Sequence, residues 1–231
     1  ANPHIMTYTQ LKAARGSKFA PFPAKNKLVE LLLPKKVKDI KHSIPAAIKA
    51  NIDFMFNPPI RNMGLKGFQK WQEMLPTWAN FSDNDLLFGL VGVYIYMETG
   101  GTGGAMFRIL YRDFLKEAGE LLNNDGLLKS AEVYDDIIVK LREVEHLILP
   151  DDLPNIAQLR ELYQKSGDIT EKGEKDYQQQ LAKLEEKVEP ALKGALNEID
   201  VWRERIPQIN KGIQEWSELE TKAWEIIKNA L

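Results

Sequence analysis

Four of the fifteen glycines fall within five residues of the stretch Glu98-Thr99-Gly100-Gly101-Thr102-Gly103-Gly104-Ala105-Met106-Phe107-Arg108. Flexible residues cost folding entropy and are kept where the backbone needs positive φ, turns tightly, or approaches a ligand or another helix. A glycine loop that opens a helix presents free backbone N–H groups at the positive end of the dipole, a place suited to phosphate or carboxylate. Arg108 then falls in the first turn, where the same dipole disfavours a cation. It needs a partner, with Glu98 the obvious intramolecular candidate and a bound anion the alternative. Arg112 and Lys116 continue a basic stripe at four-residue spacing. Glu98, Gly100, Gly101, Thr102, Gly103, Gly104, Arg108 and Arg112 are therefore the candidate substrate-binding residues. Two uses stay open: a pocket for a ligand, or a buried Glu98–Arg108 clamp with glycines that let the loop tuck between helices.

Several chemistries are excluded or disfavoured. Gly101-Thr102-Gly103 is followed at once by another glycine, with methionine where a dinucleotide fingerprint needs its third glycine, and no Lys-Ser or Lys-Thr pair follows as in a P-loop. The absence of cysteine removes thiolate zinc sites, disulfides and a cysteine nucleophile from these residues. Only His4, His42 and His146 are present, too few for a histidine-rich metal site without a chance convergence. Asp135-Asp136 and Asp151-Asp152 are adjacent pairs whose side chains do not converge on a helix, so they read as solvated or capping residues. No catalytic residue, metal ligand or cofactor is assigned.

The elements that must position the loop are helical. Thr7 to Arg15 reads as a short helix ended by Gly16, and Phe19 to Ala24 as extended because of its prolines. Leu28 to Leu33 is the one strand candidate. Apolar residues at helical spacing mark Val37 to Phe56, with Pro45 as a kink or divider, and Leu65 to Leu75, with Phe68, Trp71 and Leu75 inward. Ser82 and Asp85 form a helix start onto which Phe81 can staple at Leu86, and the following run to Met97 is apolar nearly all round, as expected of the central buried helix. Further helices are expected over Met106 to Leu122, Leu127 to Leu149, Ile156 to Lys165, Thr170 to Arg205 and Ile206 to Leu231. The fold class is mainly α: a multi-helix domain with a short N-terminal extended or strand segment and a C-terminal helical hairpin. Residues 1–34 read as the junction of an N-terminal domain, 35–149 as a helical core with the glycine-rich loop, and 150–231 as a charged helical hairpin.

The net charge of −2 hides an asymmetry, with 13 Lys/Arg against 4 Asp/Glu in residues 1–80 and 18 against 29 thereafter. A basic first third could meet an acidic partner or anionic substrate, though internal complementarity explains it as well. No nucleic-acid motif accompanies the lysines. The longest apolar run, Leu86 to Met97, is short of a bilayer crossing, and a cytoplasmic protein without membrane contact is expected.

The glycine loop with Leu110-Tyr111-Arg112-Asp113-Phe114-Leu115-Lys116-Glu117-Ala118 resembles the C-terminal helical region of proteins like the butirosin biosynthesis protein BtrH. Leu11-Lys12-Ala13-Ala14-Arg15 looks like the end of that family's N-terminal domain, and the resemblance covers about residues 5–149. It implies an acyltransferase-like protein whose N-terminal domain resembles cysteine proteases and moves an acyl group from a carrier-protein thioester to an amine. Such chemistry needs a thiolate and a base. The cysteine-bearing segment has no counterpart here, and the opening Ala1-Asn2-Pro3-His4 favours a fragment of a longer protein over a lineage that kept the helical domain alone. The expected function is the substrate-binding or accessory region of such an acyltransferase, not catalytic alone, with an acyl carrier protein or a small amine as partner. The alternative is a non-enzymatic helical module for protein interaction or homo-oligomerisation.

Overall fold

The computed structural model describes residues 6–18, 24–27, 29–30, 32, 39–100, 104–172 and 176–231. Two compact units divide at Lys38/Asp39. The first holds α1 (Tyr8–Arg15), opened by a reciprocal cap in which Gln10 N donates to Thr7 Oγ1 and Thr7 N donates to Gln10 Oε1. Gly16 ends it, as its position predicts. Of the expected strand, Leu28, Leu31 and Leu33 lie outside the described residues, and Val29, Glu30 and Leu32 form none. The extended stretch expected from Phe19 falls, up to Pro23, outside them too.

The second unit is helical throughout its regular structure. It contains α2 (Ile44–Phe56), α3 (Gly64–Met74), α4 (Asp83–Tyr94), α5 (Arg108–Leu122) and α6 (Asp125–Ile148). Beyond Pro150 come α7 (Pro154–Lys172), α8 (Tyr177–Ala195), α9 (Ile199–Arg203) and α10 (Ile206–Ala230). Pro45 opens α2 and does not kink it, because a residue in the first turn has no intrahelical N–H bond to lose. Ser82 accepts from Asp85 N at 3.2 Å and starts α4 as its sequence predicts. Phe81 stacks instead on Trp78, with ring centroids 5.7 Å apart.

The centre is the α6–α10 pair, with α5 laid against α6 and α3 against α10. Leu127, Ala131, Tyr134, Ile137, Leu141, Val144 and Ile148 bury one face of α6, and Ile206, Ile209, Ile213, Trp216, Ala223 and Ile227 bury one face of α10. The alternation of three- and four-residue steps on both is the pattern that seats side chains of one helix between those of the other. Gly212 lets the two approach, since a Cβ there would lie 3.1 Å from Val144 and Leu147. α4 is not the central helix that the apolar run to Met97 suggests: Leu86, Leu87, Leu90, Val91 and Tyr94 are buried, but Phe88 is 60% exposed, and Tyr96, in the turn that follows, 71%. α7 and α8 pack on one another as a helical hairpin, whereas α10, expected in the hairpin of residues 150–231, belongs to the central pair.

Candidate functional site

The glycine loop performs two backbone manoeuvres that glycine makes possible. α4 runs on into a π-helical turn, Ile95–Thr99, closed by Gly100 N donating to Ile95 O at 2.6 Å. A Cβ on Gly100 would stand 3.0 Å from that oxygen. Gly101, Thr102 and Gly103 lie outside the described residues. At Gly104 the chain turns left-handed with φ 77°, and Ala105, Met106 and Phe107 follow with φ of 49°, 47° and 64°. Non-glycine residues in that region cost about 1–2 kcal/mol each, so the turn is strained and must be held by its surroundings. Glu98 Oε2 accepts from Ala105 N at 3.1 Å, and Arg108 Nη1 donates to Met106 O at 2.9 Å. The expected helix start at Met106 is therefore displaced to Arg108.

The Glu98–Arg108 clamp does not form. Arg108 Nε donates to Glu220 Oε1 at 2.7 Å, 112 residues along the chain, while Glu98 pairs with Arg142. Glu220 is 1% exposed on the inner face of α10, where it also accepts from Trp216 Nε1 at 3.1 Å and Tyr134 Oη at 3.5 Å. The Arg108 guanidinium lies over the Trp216 indole, 5.4 Å from its centroid. Among the described residues its Nη2 has no acceptor.

Arg108 and Met106 form a wall shared by two cavities. The first, about 290 Å³, is closed by Asn51 and Phe54 from α2, Tyr111 from α5, Tyr134 from α6, and Glu220 and Trp224 from α10. The Tyr111 ring stacks on Trp224 at 5.3 Å and meets Tyr134 edge-on at 5.2 Å, so its position is fixed by packing. Its hydroxyl is buried and completes no hydrogen bond among the described residues. Burial pushes the phenol well above its ordinary pKa; the nearby Asn51 amide lowers it in part without completing a bond in this geometry. Tyr111 is thus a protonated donor at neutral pH, facing an otherwise largely apolar chamber. The second cavity, about 400 Å³, is walled by Phe68, Trp71, Trp78 and Trp216, with Lys70 and Arg108 as its charged residues. Trp71 points inward as expected and packs against the core, half-buried where it lines this space.

The model of a domain of unknown function, DUF4872, matches residues 9–181. The chain belongs to this family. No curated protein and no solved structure matches it. The DUF4872 match takes in the glycine loop, Arg108, Tyr111 and Tyr134, whereas Trp216, Glu220 and Trp224 lie past its end. α10 therefore completes the first cavity of this DUF4872 chain from outside the matched range.

The other sequence-selected residues go elsewhere. Arg112 bonds Asp113 and Asp135, at 2.8 and 3.0 Å, and Lys116 reaches the same Asp135 at 3.4 Å. Donating to the Asp113 carboxylate is the chief cause that raises the Arg112 pKa. The basic stripe is thus matched by acids, and Arg112 lines neither cavity. Glu98 joins Arg142 and Glu145 behind the loop; a Cβ on Gly104 would come within 3.2 Å of Arg142 Nη2. Glu145 is 3% exposed, and burial first, then the Glu98 charge, pushes its pKa up to about 8. Burial, with the charges of Glu145 and Glu98, pushes the Tyr94 phenol to about 12. Among the described residues no cluster of His, Asp and Glu could hold a metal. Sequence reasoning missed Glu220 and Tyr111. The signal for Glu220 is a lone carboxylate in the buried register of α10, between Trp216 and Ala223, where an acid must have a partner.

Proposed function

We propose that this DUF4872 chain is the helical substrate-binding region of an acyltransferase of the BtrH kind, and that the first cavity receives the acyl group. The unpartnered Tyr111 hydroxyl carries the reading. A buried donor without an acceptor costs about 1–3 kcal/mol, a cost relieved by a ligand that brings an oxygen. An acyl carbonyl is such an acceptor, and Phe54, Met55, Met106 and Trp224 give its alkyl part an apolar wall. Glu220 is already neutralised by Arg108, so the chamber offers no free carboxylate to a cationic amine and favours the acyl partner over the amine. The chain has no cysteine, so its part is to hold and orient the acyl group while the thiolate is supplied from elsewhere.

Calorimetric titration tests this with S-butyryl-N-acetylcysteamine, which mimics the end of a carrier-bound acyl arm, and with the matching thioether that lacks the carbonyl. Binding of the thioester about tenfold tighter than the thioether is expected for one satisfied buried hydrogen bond. Equal affinity, or no binding of either, would remove the reading.

A further inference from the structure

The second cavity carries a separate ligand chemistry. Its walls come from three parts of the fold: Phe68 and Trp71 on α3, Trp78 just beyond it, and Trp216 on α10. Phe68 and Trp71 both meet Trp216 edge-on, at 4.8 and 6.2 Å, and Gly89 of α4 makes room for the Trp78 ring, which a Cβ would approach to 3.1 Å. Such a box of rings accepts either a flat apolar body or a cation. The charges decide between them. Among the described residues Lys70 and Arg108 are the charged ones lining the space and no acid lines it, and Arg108 already occupies the face of Trp216. A cationic ligand would meet the Lys70 and Arg108 side chains and, among the described residues, no carboxylate lining the space to pair with, the Arg108 charge being balanced by Glu220; a carboxylate would find a donor in the Arg108 Nη2, which bonds no acceptor among the described residues.

We propose that this cavity binds a small aromatic carboxylate, its ring between the tryptophans and its carboxylate on Arg108 with Lys70 at the rim. The site is independent of the acyl reading, because Tyr111 does not line it and Lys70 does not line the first cavity. Both would be occupied on opposite sides of Met106 and Arg108, which places two ligands across one thin wall.

The test is titration of the full chain with three probes that share one ring and chain length: 3-phenylpropionate, 3-phenylpropanamide and 3-phenylpropylamine. The carboxylate should bind about tenfold tighter than the amide, and the amine least of all. Lys70 is half-buried at the rim, its side chain 35% exposed, and its pairing with Glu73, at 3.5 Å, is weak, so Lys70→Glu should fold and lower carboxylate affinity severalfold while sparing the amide. Trp71→Ala should weaken both, and Tyr111→Phe neither. Amine binding equal to that of the carboxylate, loss of carboxylate binding in Tyr111→Phe, indifference to Lys70→Glu, or no binding of the carboxylate at millimolar concentration would each overturn the proposal.

Discussion

Replacing Arg108 with alanine strands the Glu220 carboxylate, which is 1% exposed and would keep only Trp216 Nε1 at 3.1 Å and Tyr134 Oη at 3.5 Å. Breaking a buried pair by removing one partner costs about 3–5 kcal/mol, because an uncompensated charge remains. The Arg108 side chain is itself 20% exposed, so water can reach the vacated place, and the lower end, about 3 kcal/mol, is expected. Part of that loss is the left-handed turn, whose Met106 carbonyl is held by Arg108 Nη1. Glu220→Gln removes the charge and keeps the side chain's shape. Arg108→Met combined with Glu220→Leu should recover most of the stability, giving a coupling of about 2 kcal/mol between the two positions. Urea unfolding at pH 7 followed by tryptophan fluorescence measures each, provided the denaturant slope stays constant. A cost below about 1 kcal/mol for Arg108→Ala, or strictly additive single changes, would refute a buried pair at this place.

Two further changes probe the wall behind the loop. Glu145 has a folded pKa of about 8 against 4.5 in the open chain, so the folded state binds the extra proton between those values. The Glu145 contribution to stability should be constant below about pH 4.5 and fall as pH rises to about 8, by at most about 1.4 kcal/mol per unit. Glu145→Gln should remove that part of the slope in a series of unfolding curves; an unchanged slope would mean that Glu145 is ionised in the folded protein. Gly104 has φ 77° and ψ 156°, a combination nearly restricted to glycine, and faces Arg142 Nη2. Gly104→Ala should cost about 1–3 kcal/mol in a thermal melt, and a neutral result would show that the turn can relax.

Much of the fold is legible in the sequence because its signals are local. Gly16, Pro45 and the Ser82–Asp85 cap mark helix ends through backbone chemistry within a few residues, and the three- and four-residue steps of α6 and α10 state which faces are buried. The site is legible only in part because its decisive contacts are distant. Charge alone pairs Arg108 with the nearer Glu98, yet α10 brings Glu220 to it from 112 residues away, and Arg142 takes Glu98 instead. Nor does composition tell a central helix from a flanking one: α4 is as apolar as a core helix, but Phe88 faces outward because α6 and α10 already supply complementary faces. The left-handed turn through Ala105, Met106 and Phe107 has no local signal, since these residue types oppose it. It exists because Glu98 and Arg108 hold it.

Tyr111→Phe addresses the acyl-binding account most directly. The change removes one oxygen that completes no hydrogen bond among the described residues and leaves the ring stacked on Trp224, so unfolding free energy should stay the same or rise by up to about 1 kcal/mol. Affinity for S-butyryl-N-acetylcysteamine should fall about tenfold, to that of the thioether. Unchanged thioester affinity in a fully stable Tyr111→Phe protein would contradict the account.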